Sequence, residues 1–194
     1  MGRVILICCE GKTEKEYFEI LRRSYRIPGY VGIHILGEKG QHKALIDRTL
    51  EERDILVQEL GINADDIECW SVCDDDRMTC SYAELLNYAE SHKVKLAFTR
   101  PQFEAFLVQH FEQTGIWKKE DLYSKLAAYR KEMGFDAVYD DSAKSDLRWM
   151  EKAIDEKPKR VDTAVVNANL RLKQSDRCFM TVQQLVERLR DLGI

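Results

Sequence analysis

Between residues 4 and 111 the sequence alternates short apolar runs with segments of helical periodicity, and this alternation constrains the fold more than any other feature. Residues 4–9 are unbroken apolar, the mark of a strand covered on both faces. Thr13 and Glu16 stand at capping-box spacing ahead of Tyr17, Ile20 and Leu21. Residues 31–36 read as a second strand. Residues 41–60 read as a long helix with an apolar stripe of Ile46, Leu50, Val57 and Leu60, closed by Gly61. Residues 68–73 form a third strand, Ser81 and Glu84 a second capping box, and residues 94–98 a fourth strand. Pro101 suits the first turn of a helix carrying Phe103, Phe106, Leu107, His110 and Phe111 on one side. Such alternation predicts an α/β fold: a mostly parallel sheet of about four strands with helices on both faces, joined by right-handed crossovers. Beyond residue 115 strand signals stop, and helical patterns recur near 120–133, 143–156, 159–174 and 181–191. The expected organisation is an α/β domain over 1–115 and a helical C-terminal extension over 116–194, packed on the same body.

A chain of 194 residues needs neither disulfide nor metal to hold a core. Its six cysteines lack Cys-x-x-Cys spacing, so reduced, packed thiols are expected. No apolar run approaches the ~20 residues of a membrane span, and Arg3 with the short run after it does not read as a signal peptide. The expectation is a cytoplasmic protein with no membrane contact. The net charge of −4 excludes a nucleic-acid binder that works by bulk charge. Charge is nevertheless uneven. Residues 51–76 hold ten acids against one base, and residues 157–177 hold six bases against two acids. An acidic cluster and a basic strip suit metal ions at one place and phosphates at another, the competing reading being two solvated helix faces. In the strip, Lys159, Arg160, Arg171 and Lys173 are the candidate phosphate contacts of a nucleic acid.

The acids gather where open parallel sheets bind ligands, beyond the carboxyl ends of strands. Glu10 follows strand one, Asp74, Asp75 and Asp76 follow strand three, and Glu104 lies in the first turn of the helix after strand four. Carboxylates held together repel unless a hard cation neutralises them, and Mg²⁺ takes one or two of them with waters and a substrate phosphate. On an extended segment Asp74 and Asp76 point one way and Asp75 the other. The competing reading is a solvated turn with a helix cap. Gly11 allows close backbone approach at a helix N-terminus, and Lys12 adds charge, but no Walker A pattern surrounds them. Lys39 and His42, in and after the Gly37–Gly40 loop, are further phosphate candidates, against an ordinary glycine-rich turn. His110 continues an apolar face and reads as packed. Tyr123, Tyr129 and Tyr139 read as core rather than as platforms for bases.

Several of these motifs carry a family resemblance. Cys9-Glu10-Gly11-Lys12-Thr13-Glu14 with Tyr17-Phe18 resembles the opening motif of RloB-like proteins of the Toprim superfamily. Val72-Cys73-Asp74-Asp75-Asp76 resembles that family's strand-terminal Asp-x-Asp. Thr99-Arg100-Pro101-Gln102-Phe103-Glu104, running into His110-Phe111, resembles its Asn-Pro-x-Phe-Glu motif, with Arg100 where the family usually has Asn. Asn167-Ala168 resembles a short element near its C-terminus. The resemblance implies a Toprim-like, Rossmann-like fold and Mg²⁺- or Mn²⁺-dependent cleavage or joining of DNA or RNA. Glu10, Asp74 and Asp76 would bind the metal and, with Glu104, form the catalytic set. No Tyr stands in a topoisomerase context, so no covalent tyrosine mechanism is implied. RloB-like proteins occur beside restriction and abortive-infection systems, often with an ABC-type ATPase, which implies anti-phage defence. Three functional readings follow: a metal-dependent phosphodiesterase, a non-catalytic metal- or nucleotide-binding module serving an ATPase, and a nucleotidyl transferase on the same residues.

Overall fold

A computed structural model describes residues 4–193. Five strands form one mostly parallel sheet: β1 (Val4–Cys9), β2 (Gly32–Leu36), β3 (Ile67–Asp74), β4 (Val94–Arg100) and β5 (Phe179–Met180), in the order β2-β1-β3-β4-β5. Eight helices complete the described residues: α1 (Lys12–Ser24), α2 (His42–Leu60), α3 (Tyr82–Ser91), α4 (Glu104–Gln109), α5 (Lys119–Glu132), α6 (Arg148–Glu156), α7 (Lys159–Asn169) and α8 (Gln183–Arg190). The expected α/β class is present, with a fifth strand added. No helix among the described residues is long and apolar enough to cross a membrane.

The chain divides into two compact units, residues 1–73, 77–97 and 188–194, and residues 74–76 and 98–187. In the first, β1 is buried along its whole length and pairs in parallel with both β2 and β3, with Val4 opposite Gly32 and Ile67, and Cys9 opposite Val72. That explains its unbroken apolar sequence: a strand flanked on both sides and covered has no face to leave polar. The Ser81–Glu84 capping box opens α3 as its spacing predicts. Gly61 ends α2 in the left-handed conformation at φ 63°, its N–H bonding Val57 O at 3.0 Å.

Two local expectations are corrected in this unit. Helix α1 has no Thr13–Glu16 capping box; Gly11 is its N-cap, and Thr13 is buried in the first turn. The buried face of α2 is His42, Leu45, Ile46, Thr49 and Leu56, while Leu60 is exposed. Polar Thr49 hides the true stripe, because its hydroxyl is satisfied inside by Leu45 O and by Ser71 Oγ of β3, both at 2.8 Å. The six cysteines are free, as their spacing predicts, and burial pushes the Cys8 and Cys69 thiols up to about 11.

In the second unit Pro101 precedes α4 rather than standing in its first turn, and α4 is buried on every side. Phe98, Phe103, Phe106, Trp149 and Phe179 are the large side chains of this core. The expected strandless C-terminal region is corrected by β5, antiparallel to β4, with Thr99 opposite Met180 and Arg100 opposite Phe179. Two residues are too few to show a period of two, and the strand is fixed by Thr181, which exchanges bonds with Phe98 backbone at 2.8 and 3.0 Å.

Candidate functional site

In the first unit the β1–β3 ladder runs one residue past the strand, with Glu10 N–H donating to Val72 O at 3.0 Å. Gln41 Nε2 donates to Glu10 Oε1 at 2.7 Å. A Cβ on Gly11 would lie 2.7 Å from Glu14 Oε2, so glycine there admits the buried Glu14 carboxylate against the backbone. The first turn of α1 therefore already carries an acid of its own chain. Lys12 Nζ pairs with Glu38 at 3.6 Å, and Lys39 Nζ with Glu52 at 2.9 Å. His42 is buried at the start of α2 with φ 50°.

In the second unit the three consecutive aspartates have three environments. Asp74, the last residue of β3, accepts from Asp76 N–H at 2.8 Å and from the Phe103 amide. Asp75 lies in the bend that follows the strand, outside the extended segment the alternation assumed, and is held by Arg100 through Nε at 2.8 Å and Nη2 at 3.3 Å. The same guanidinium donates to Gln174 O at 2.6 Å and lies 5.8 and 5.9 Å from the Phe98 and Phe179 rings. Asp76 is exposed. Arg100 thus clamps the middle aspartate.

Glu104 opens α4 and is only 4% exposed, with Tyr139 O–H donating to its Oε1 at 3.3 Å. Burial raises its pKa, and the charge of Asp74 adds to the rise. Burial pushes Asp74 up to about 6, with the Asp76 charge adding and the two amide bonds opposing. Lys144 is within electrostatic reach of both acids. Around them, Lys119 Nζ pairs with Asp141 at 2.8 Å, and Tyr123 O–H donates to Asp141 at 2.8 Å. Those two bonds hold the Asp141 carboxyl down at about 2. Asp74, Asp76 and Glu104 are thus gathered within this unit. Tyr139, Asp141, Lys119 and Lys144 join them without any motif to announce it, because they come from α5 and from the turn before α6. Among the described residues, no three His, Cys, Asp or Glu side chains converge enough to hold an ion unaided.

His110 is a packed histidine: its Nδ1 lies 3.2 Å from Leu107 O, and burial lowers its pKa to about 4. Asn167 Nδ2 donates to Gln109 O at 2.8 Å and ties α7 to α4. The basic strip is not uniform. Lys159 and Lys173 are exposed, Lys173 facing Asp176 at 3.7 Å. Arg160 stacks 4.6 Å from the Phe111 ring, and Arg171 packs beside Gly115. Tyr129 stacks on the same Phe111 ring, with centroids 4.1 Å apart.

A mostly parallel α/β sheet with a strand ending among buried carboxylates defines an α/β protein with an acidic strand-end site. The chain belongs to the RloB-like protein family, whose model matches residues 5–189. No curated protein and no solved structure matches it significantly.

Proposed function

We propose that the chain is a Mg²⁺- or Mn²⁺-dependent phosphodiesterase acting on DNA or RNA in anti-phage defence, the activity its Toprim resemblance implies. The observation that carries the reading is the pairing of Glu104 and Asp74, two carboxyls raised by burial beside the Asp76 charge. Burial and like charge are costly to a fold, and such groups cluster at functional sites. The donor set is hard oxygen throughout, which fits Mg²⁺ when waters and a substrate phosphate complete the shell. When bound, the ion supplies positive charge to the phosphate and acidifies a water.

The chain's own residues do the rest. Asp74 and Asp76 offer carboxylate oxygens to the ion, with the Asp76 and Phe103 amides fixing the Asp74 rotamer. Tyr139 orients Glu104, whose pKa is raised by burial, the direction that makes a carboxylate a better proton acceptor. Lys144 and Lys119, both paired with Asp141, interact electrostatically with these acids and join Lys12 and Lys39 as candidates for positioning the phosphate. The resemblance also assigns a metal-binding role to Glu10 of the first unit.

The test is cleavage of labelled single- and double-stranded DNA and RNA with Mg²⁺, Mn²⁺ or EDTA. Wild type should cut only with metal, and Asp74→Asn, Glu104→Gln and Glu10→Gln should each lose roughly a hundredfold or more. Activity in EDTA contradicts the reading. A second reading, a non-catalytic partner of an ABC-type ATPase, is favoured by the lack of a ready three-ligand cluster among the described residues. It predicts no cleavage under any metal, alone or with the ATPase.

A further inference from the structure

The first unit carries a cleft that the candidate site does not use. It has a volume of about 480 Å³ and lies between the end of α1 and the start of β2, the opposite end of that strand from the Gly37–Gly40 loop. Arg22, Arg23, Arg26 and His34 line it, with Pro28 and Gly29 forming the connecting wall, and no acid lines it.

Local sequence produces this concentration of charge. Arg22 and Arg23 occupy the last turn of α1, where cations complement the helix dipole. The carbonyls of that turn are already taken, Leu21 O by Tyr25 N–H at 2.9 Å and Arg23 O by Arg26 N–H at 3.1 Å. An anion entering the cleft therefore meets guanidinium groups rather than bare carbonyl oxygens. Arg26 then reverses the chain in the left-handed region at φ 49°, where a side chain is strained and glycine would be easier.

The four cations are not equally committed. Arg22 is anchored to Ile33 O at 3.4 Å and to Glu19 at 3.4 Å, and Arg23 faces Glu16 at 3.7 Å. The side chains of Arg26 and His34 make no hydrogen bond or ion pair with any described residue. Two donors without partners thus face a cleft whose walls hold two more. Arginine forks match phosphate oxygens, and a cleft of this volume takes a nucleotide rather than a lone phosphate ion.

We propose that this cleft binds the phosphate groups of a nucleotide, independently of the carboxylate site. The phosphates come from a free nucleotide or from a strand of nucleic acid, and the experiment separates the two. Full-length protein is titrated calorimetrically with ATP, with pyrophosphate and with a single-stranded oligonucleotide, all in EDTA so that no metal–nucleotide complex can occupy the acids. The variants are Arg26→Gly, which removes the guanidinium at a position whose backbone suits glycine, and His34→Gln. ATP and pyrophosphate should both bind wild type, and each variant should weaken them roughly tenfold with its melting temperature preserved. Oligonucleotide binding that depends on Arg26, without ATP binding, keeps the site and assigns its phosphate to a strand. Absence of binding by all three probes, or affinities unchanged in both variants, overturns the proposal.

Discussion

Asp74, Asp75 and Asp76 share one chemistry and are separated by what touches them. Asp75 belongs to Arg100, and the pair is half-buried, with Arg100 also resting on two rings. Removing one partner of such a pair leaves the other charge without compensation, though partial exposure screens the cost. Arg100→Ala should therefore lower stability by about 2 kcal/mol in denaturant unfolding. Asp75→Asn should cost less, and the double variant should show coupling between the two. Additive losses would mean that Arg100 acts through the Phe98 and Phe179 rings alone. The place of Asp74 at a strand end was legible, although the alternation read through Asp75 and Asp76 stops where the chain bends after it. The clamp itself was not, because nothing in an Arg at position 100 announces which acid it meets.

At the scale of elements, Glu68 near the start of β3 is gripped by Arg188 at 2.9 Å, with Lys95 at 2.9 Å and Trp70 Nε1 at 3.0 Å. These bonds overcome a burial that by itself raises the pKa and hold the carboxyl at about 2. Its folded value lies below the ordinary 4.5, so its contribution is complete above about pH 4.5 and is lost as pH falls through about 2. Glu68→Gln should remove up to about 3 kcal/mol at pH 7 and much less at pH 2, measured by unfolding at the two pH values. An equal loss at both would assign the effect to packing. The strip on α7 and beyond behaves as two kinds of residue. Lys159→Ala with Lys173→Ala should flatten the salt dependence of nucleic-acid binding by roughly 2 in log–log slope. Arg160→Ala should instead lower stability by about 1 kcal/mol through the lost stacking on Phe111. An unchanged slope in the double lysine variant returns the strip to a solvated face. Strand β1 and helix α3 were readable because burial on both sides and a capping box each leave a plain pattern. The buried face of α2 was misread by its polar residues, and β5 was too short to have a pattern.

For the whole molecule, family membership over residues 5–189 joins what the motifs covered only from 9 to 111. Asp74 and Glu104 could be picked out because one ends a strand and the other opens a helix, and Asp76 because it stands in the acidic run that follows the strand. Their companions Tyr139, Asp141, Lys119 and Lys144 come from a region with no strand signals, so only tertiary structure assembles them. The central claim is that these acids hold a divalent cation. Its most direct test is the melting temperature in saturating Mn²⁺ against EDTA, for wild type, Asp76→Asn and Asp75→Asn. A cation at about 100 times its dissociation constant adds about 2.7 kcal/mol to the folded state, a rise of roughly 5–10 °C for a chain of this size. Wild type should show that rise, and Asp75→Asn should keep it from a lower starting temperature. Asp76→Asn should lose most of it. No rise in wild type, or equal rises in all three proteins, would contradict the account.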